Sequence, residues 1–170
     1  MSNQNTTKPA PIYLTPAGAQ RLRTELKEIL YQLRPEMVKT ATWAASNGDR
    51  SENADYHYAK RKLRQYDGRI RFLTQRLQDA TIVDPAEQQE IANGRVLFGC
   101  TVTVENEAGE EKIFSIVGVD ELDLARGYIS WISPIGRALL GASEGDLVSF
   151  TTPGGPTELE IIKVEYKALN

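Results

Sequence analysis

Two apolar stripes with helical spacing, separated by a short polar turn, confine the first half of this chain to a hairpin of helices. The first stripe is Leu22, Leu26, Ile29, Leu33, Met37, Ala41 and Ala44, in steps of three or four. The second is Tyr56, Ala59, Leu63, Tyr66, Ile70, Leu73, Leu77 and Ala80, an alternation held over more than three heptads and so a coiled-coil signature. Leu14-Thr15-Pro16 supplies the start, with Thr15 as N-cap and Pro16 at the first helical position, where its missing N–H costs nothing. Pro35 predicts a kink or loosened turn around 31–35 and not an end, because the stripe resumes after it. Between the stripes lies Ser46-Asn47-Gly48-Asp49-Arg50-Ser51, where Gly48 is suited to a positive-φ helix end and Ser51 or Asp49 to capping the next helix. About 30 residues per arm at about 1.5 Å each give a rod of about 45 Å, thin enough to enter places closed to a globule.

Past Asp84-Pro85 the hydrophobic period changes to two. Strands are expected at 96–105, 112–119, 128–132, 146–151 and 158–166, with turns at Glu107-Ala108-Gly109 and Pro153-Gly154-Gly155-Pro156. One short helix is expected in Pro134-Ile135-Gly136-Arg137-Ala138-Leu139-Leu140-Gly141, which has Pro at its start and Gly at its end. The expected organisation is α+β: a polar tail over 1–13, a coiled-coil hairpin over 14–84 with an acidic tip near 47–56, and a small β-rich domain over 85–170.

Charge divides at the same place. Residues 1–85 hold 14 Lys and Arg against 9 Asp and Glu, a balance of +5, whereas 86–170 hold 6 against 14, or -8. Such an asymmetry favours two modules with different partners, the basic one facing nucleic acid. No stretch approaches the roughly 20 apolar residues that span a bilayer, and the start has neither a basic nor an apolar leader segment, so a cytoplasmic, non-membrane protein is expected. The single Cys100 lies in the apolar run 96–104 and reads as a buried structural thiol.

The chemistry concentrates at Gly48-Asp49-Arg50-Ser51-Glu52-Asn53-Ala54-Asp55-Tyr56. On helical geometry Glu52 and Tyr56 share a face, and Asp49 can lie beside Glu52, three residues on. Two hard oxygen donors at an exposed tip suit Mg²⁺, which commonly takes one or two protein carboxylates and fills its other positions with water or phosphate. The competing reading is capping, since acidic residues in a first helical turn complement the macrodipole without further function. No hydrolase arrangement stands beside them: His57 is the only histidine and reads as a solvated helix position, there is no Walker loop, and Gly94, Gly99, Gly154 and Gly155 read as turn glycines. With Tyr56 at heptad position a, Lys62, Arg69 and Arg76 fall at g, Arg64 and Arg71 at b, Lys60 at e and Arg61 at f, a cationic flank along the rod. Interhelical pairing with Glu25, Glu28 and Glu36 accounts for part of it. The surplus favours a polyanion, and Tyr58, Tyr66 and Phe72 as aromatic neighbours favour RNA.

The segment Trp43-Ala44-Ala45-Ser46-Asn47-Gly48-Asp49-Arg50-Ser51-Glu52-Asn53-Ala54-Asp55-Tyr56 resembles the tip of the bacterial Gre transcript-cleavage factors. The resemblance extends from Ile12 to Tyr166 through Arg34-Pro35-Glu36, Gly94-Arg95-Val96-Leu97-Phe98-Gly99, Ile116-Val117-Gly118, Ser133-Pro134-Ile135 and Thr152-Pro153-Gly154-Gly155. Trp43-Ala44-Ala45, Arg50 and Lys60-Arg61-Lys62-Leu63-Arg64 are similar to the GreB branch more than to the GreA branch. The resemblance implies an N-terminal coiled coil, a C-terminal domain of FKBP-like topology, and a hairpin that enters the secondary channel of RNA polymerase to stimulate cleavage of the 3′ RNA in backtracked complexes. Asp49 and Glu52 match the functional carboxylates, which would hold the second Mg²⁺ and its water jointly with the polymerase, with no ion held tightly by the free protein. Arg50, Ser51, Asn53 and Tyr56 match tip positions that support them or touch RNA. Lys60, Arg61, Lys62, Arg64, Arg69, Arg71 and Arg76 would bind extruded RNA, and Ser133, Pro134 and Ile135 would dock on the polymerase at the channel rim. Gly136 stands where the family pattern leads one to expect Ala.

The chain is then no enzyme itself; it works on the polymerase's own cleavage activity and is expected to be a monomer when free. The alternative of the same architecture is a channel-binding inhibitor that provokes no cleavage, against which the presence of both Asp49 and Glu52 argues. A prolyl isomerase is a further alternative, opposed by the lack of an evident aromatic-lined pocket in the sequence. A plain coiled-coil interaction module is the fourth.

Overall fold

Every position of the two predicted apolar stripes is buried or half-buried, as a two-helix seam requires. The computed structural model describes residues 9–48 and 52–170. Helix α1 (Pro16–Glu28) runs into a π-helical stretch, Ile29–Leu33, and then into α2 (Arg34–Ser46), and α3 (Ala54–Asp79) returns along them. The π turn lies just before Pro35: the Arg34 N–H reaches back to the Ile29 carbonyl. Proline has no N–H to donate and its ring crowds the carbonyl four residues back, so a wider turn carries the chain past it. The kink expected around 31–35 thus takes the form of a π segment at 29–33. Towards the tip the buried seam positions are small, Ala41, Ala44 and Ala59, with Tyr56 half-buried beside them. The α3 arm of 26 residues is about 39 Å long.

The compact hairpin unit is Ala19–Asp79; the flanking residues 9–18 belong with 80–170. The reason is a pair of two-residue strands, β1 (Tyr13–Leu14) and β2 (Thr81–Ile82), that run parallel, with the Thr81 N–H on the Ile12 carbonyl and the Val83 N–H on the Leu14 carbonyl, each at 2.8 Å. The hairpin expected over 14–84 is shorter at both ends because those ends pair with each other. Thr15 caps α1 as expected, its hydroxyl accepting the Gly18 N–H at 3.1 Å.

The second unit holds a five-stranded sheet of β3 (Thr101–Asn106), β4 (Glu111–Val117), β5 (Tyr128–Ser130), β6 (Leu147–Thr152) and β7 (Gly155–Glu165), in the order β5-β4-β3-β7-β6. Only the β4–β5 pair is parallel. Alternate residues such as Val102 and Val104 enter a core with Val96, Cys100, Ile116, Ile129, Leu139, Leu159 and Ile161. Cys100 is fully buried, and that burial pushes its thiol up to about 11, which fits a structural cysteine.

Two expectations are corrected here. The strand expected from 96 begins only at Thr101, because residue 99 is a glycine at φ 86°, incompatible with an extended ladder. Besides the expected short helix, α5 (Pro134–Leu139), there is a second, α4 (Pro85–Ala92). It is capped by Asp84, whose carboxylate accepts the Ala86 N–H at 3.0 Å, and it ends at Asn93 in the left-handed region. Eight residues are too few to impose a visible period, so Asp84-Pro85 reads in sequence as a boundary and not as a helix start.

Candidate functional site

The tip is built around one side chain. Asn53 precedes the first residue of α3, and its side-chain Oδ1 accepts the Tyr56 N–H at 3.0 Å, which makes it the N-cap. Its amide donates across the hairpin to the Ala44 carbonyl in the last turn of α2. One side chain therefore satisfies an orphan donor of one helix and a carbonyl of the other, tying the two ends together. On the α2 side the Asn47 N–H also donates to the Ala44 carbonyl, at 3.1 Å, and Gly48 turns out of the helix at φ 131°, as expected for a glycine there.

Asp49, Arg50 and Ser51 lie outside the described residues. The capping expected of Ser51 or Asp49 therefore lies outside the described residues; among those described, Asn53, directly before Ala54, caps α3 through the Tyr56 N–H. Glu52 is exposed and lies in the turn before α3. It is therefore not on the helical face with Tyr56 that the spacing suggested, since the helix begins only at Ala54. Tyr56 is half-buried against the seam and makes an edge contact with the exposed His57, ring centres 5.8 Å apart. Among the described residues no group of three or more His, Cys, Asp or Glu is placed to hold a metal ion. Glu52, the described member of the expected carboxylate pair, is exposed, which leaves it open to a cation that takes its other ligands from elsewhere.

The cationic flank divides into two kinds of residue. Arg69 is bidentate on Glu25, Nε to Oε1 at 2.6 Å and Nη2 to Oε2 at 2.9 Å, so the interhelical pairing expected with Glu25 is made. Arg69 and Arg76 also lie on the Phe72 ring, at 5.0 and 4.8 Å from its centre, and the Lys62 ammonium lies 5.9 Å from that of Tyr66. A further pair, Arg34 Nε on Asp67 at 2.7 Å, was not read from the sequence. Lys60, Arg61, Arg64 and Arg71 are exposed. The aromatic neighbours expected to serve RNA thus serve in part to hold the flank's own cations.

Ser133, Pro134 and Ile135 form the start of α5. The Ser133 hydroxyl caps the helix by accepting the Gly136 N–H at 3.1 Å and donates to the Ser130 carbonyl at 2.6 Å. Pro134 is exposed, whereas Ile135 is half-buried against the sheet core. Gly136 is buried for a steric reason: a Cβ there would stand 2.2 Å from the Ser130 carbonyl oxygen.

A helical hairpin with a tied tip, joined to a small mixed-sheet unit, is the architecture of a two-part elongation factor. Residues 12–82 match the family model described as transcription elongation factor, N-terminal, and residues 91–166 that described as transcription elongation factor, GreA/GreB, C-term. The chain belongs to the GreA/GreB family of transcription elongation factors. It is 51% identical over 154 residues to the transcription elongation factor GreB of Neisseria meningitidis serogroup B, covering 91% of this chain and 93% of that one. It is 47% identical to GreB of Pasteurella multocida, over 91% and 96% of the two chains, and 42% identical to GreA of Alkalilimnicola ehrlichii, over 90% and 96%. A solved GreA/GreB factor from Nitrosomonas europaea overlays with a TM-score of 0.41 at 25% identity, covering 91% of this chain and 99% of that one, so the fold stated above rests on this chain's own hydrogen bonding.

Proposed function

We propose that this chain is a transcript-cleavage factor of the GreB kind, which enters the secondary channel of RNA polymerase hairpin first and stimulates endonucleolytic cleavage of the 3′ RNA in backtracked, arrested complexes. The observation that carries this reading is an exposed Glu52 in a turn tied by Asn53, with Asp49 three residues before it, in a chain of this family. Asp49 and Glu52 would hold the second Mg²⁺ together with the polymerase's own ligands. When bound, that ion supplies an activated water and neutralises charge at the scissile phosphate.

The other residues position and bind. Asn53 braces the turn that holds Glu52, and Arg50, Ser51 and Tyr56 support the carboxylates or touch RNA. Lys60, Arg61, Arg64 and Arg71 face the extruded RNA, with Lys62, Arg69 and Arg76 adding field from within their contacts. Ser133, Pro134 and Ile135 dock the second unit on the polymerase rim, the protein acting as a monomer in the cytoplasm. The test is to add the protein to stalled, backtracked elongation complexes with Mg²⁺ and to look for short 3′ RNA fragments. Fragments are expected; binding without fragments would assign the chain to channel inhibition.

A further inference from the structure

Trp43 is 58% exposed, in the last turn of α2 beside the tip. Burying an indole is among the larger apolar gains open to a side chain, and the seam runs close by through Ala41 and Ala44. Trp43 follows Ala41 by about 200° and precedes Ala44 by about 100°, which turns it away from α3. The turn that carries it is held twice: the Ser46 hydroxyl donates to the Trp43 carbonyl at 2.6 Å, and Asn53 ties the Ala44 carbonyl. A large flat ring is thus held in water on a fixed backbone, a few residues from the tip.

Its neighbours decide the kind of partner. One turn away on the same face stand Lys39, Thr40, Ser46 and Asn47, all exposed and all polar. The core of a protein interface is depleted of charged side chains, whereas Lys39 stands exposed one turn from the ring. A ring flanked by a cation and hydrogen-bonding groups suits a nucleobase, whose face stacks and whose phosphate and edges remain wet.

Resting on the cleavage-factor reading, we propose that Trp43 stacks on an unpaired base of the extruded RNA, 3′ of the cleavage point, and so holds the strand against the tip. Stacking needs a flat ring and not merely bulk, so Trp43→Phe retains the contact and Trp43→Leu does not. The test places 2-aminopurine at each of the last two RNA 3′ positions of backtracked complexes and reads its fluorescence when the full-length protein is added, before cleavage is started with Mg²⁺. Quenching is expected with the parent and Trp43→Phe and is lost with Trp43→Leu. The leucine variant should also need at least about fivefold more protein for half-maximal quenching of any residual signal, the factor that matches the weak end of base–aromatic stacking. Equal quenching by the leucine variant, or none by the parent, overturns the proposal. A leucine variant that loses polymerase affinity while the base signal at saturation stays at the parent's level would assign Trp43 to a protein contact and overturn it as well. Quenching by a parent that then yields no fragments leaves the stacking in place and removes the cleavage reading, so the two fail separately.

Discussion

Thr15 and Glu121 form one buried hydrogen-bonded unit: the Glu121 carboxylate accepts both the hydroxyl of Thr15 and its backbone N–H, the latter at 3.2 Å. The same carboxylate accepts the Gly118 N–H at 2.9 Å and faces the first turn of α1, where a negative charge complements the helix dipole. Gly18 leaves the room for it, since a Cβ there would stand 2.0 Å from Glu121 Oε1. A carboxylate only 5% exposed is tolerable because donors surround it.

Glu121→Ala should therefore lower stability by about 1.5–3 kcal/mol, the range for hydrogen bonds to charged groups, by stranding the donors of Thr15 and Gly118. Urea unfolding of the full chain measures this. A midpoint within error of the parent's would show that water replaces the carboxylate without loss.

Asp49→Ala and Glu52→Ala should each abolish stimulated cleavage while leaving polymerase binding intact. Glu52 is exposed and packs in no core, so its removal should change stability by less than about 0.5 kcal/mol. Fragment yield at limiting Mg²⁺ decides the matter, and parent-level cleavage by Glu52→Ala would remove the assignment.

Asn53→Ala removes a cap and a cross-hairpin tie together. The cap alone is worth about 1 kcal/mol. The expected signature is reduced cleavage at saturating protein with both carboxylates still present, because the turn that aims them has lost its brace. Asn53→Asp keeps the acceptor for the Tyr56 N–H and loses the donor to Ala44, so it should recover helix stability more than cleavage.

Gly136→Ala separates helix propensity from packing. Propensity alone favours alanine by about 1 kcal/mol. The Ser130 carbonyl 2.2 Å from the Cβ position predicts the opposite, a loss of about 1–3 kcal/mol, together with weaker docking as Ser133 and Pro134 shift. Thermal unfolding gives the sign directly, and a raised Tm would mean that the turn at Ser130 yields.

Acid should weaken the hairpin through two pairs. The Arg69 hydrogen bond holds the Glu25 carboxyl below its ordinary 4.5, and the Arg34 hydrogen bond holds Asp67 below its ordinary 3.8. Because the folded values are the lowered ones, this stabilisation is complete above the unfolded values and disappears as pH falls through the folded ones. Both pairs are near 40% exposed, so the effect is modest. Between pH 7 and pH 3 the unfolding midpoint should fall less for a Glu25→Gln, Asp67→Asn double variant than for the parent; parallel slopes would mean the pairs contribute nothing.

Patterns set by residues two, three or four apart were legible in the sequence alone. The seam from Leu22 to Ala44 and from Tyr56 to Ala80, the Thr15 cap, the glycine exit at 48 and the α5 start at Ser133-Pro134 each depend on neighbours along the chain, and each stands in the structure as read. The tip signature likewise pointed to the family. Competition between distant partners was not legible. That Asn53 both caps α3 and reaches Ala44 depends on how closely the two helix ends approach; whether Arg69 faces solvent or Glu25 depends on how the two helices lie in register; and the pairing of Tyr13–Leu14 with Thr81–Ile82 joins segments that become neighbours only once the hairpin has closed. Glu121 marks the limit of sequence reading: an acidic residue in a turn looks like solvated surface, and only the arrival of Thr15 from 106 residues away makes it a buried acceptor.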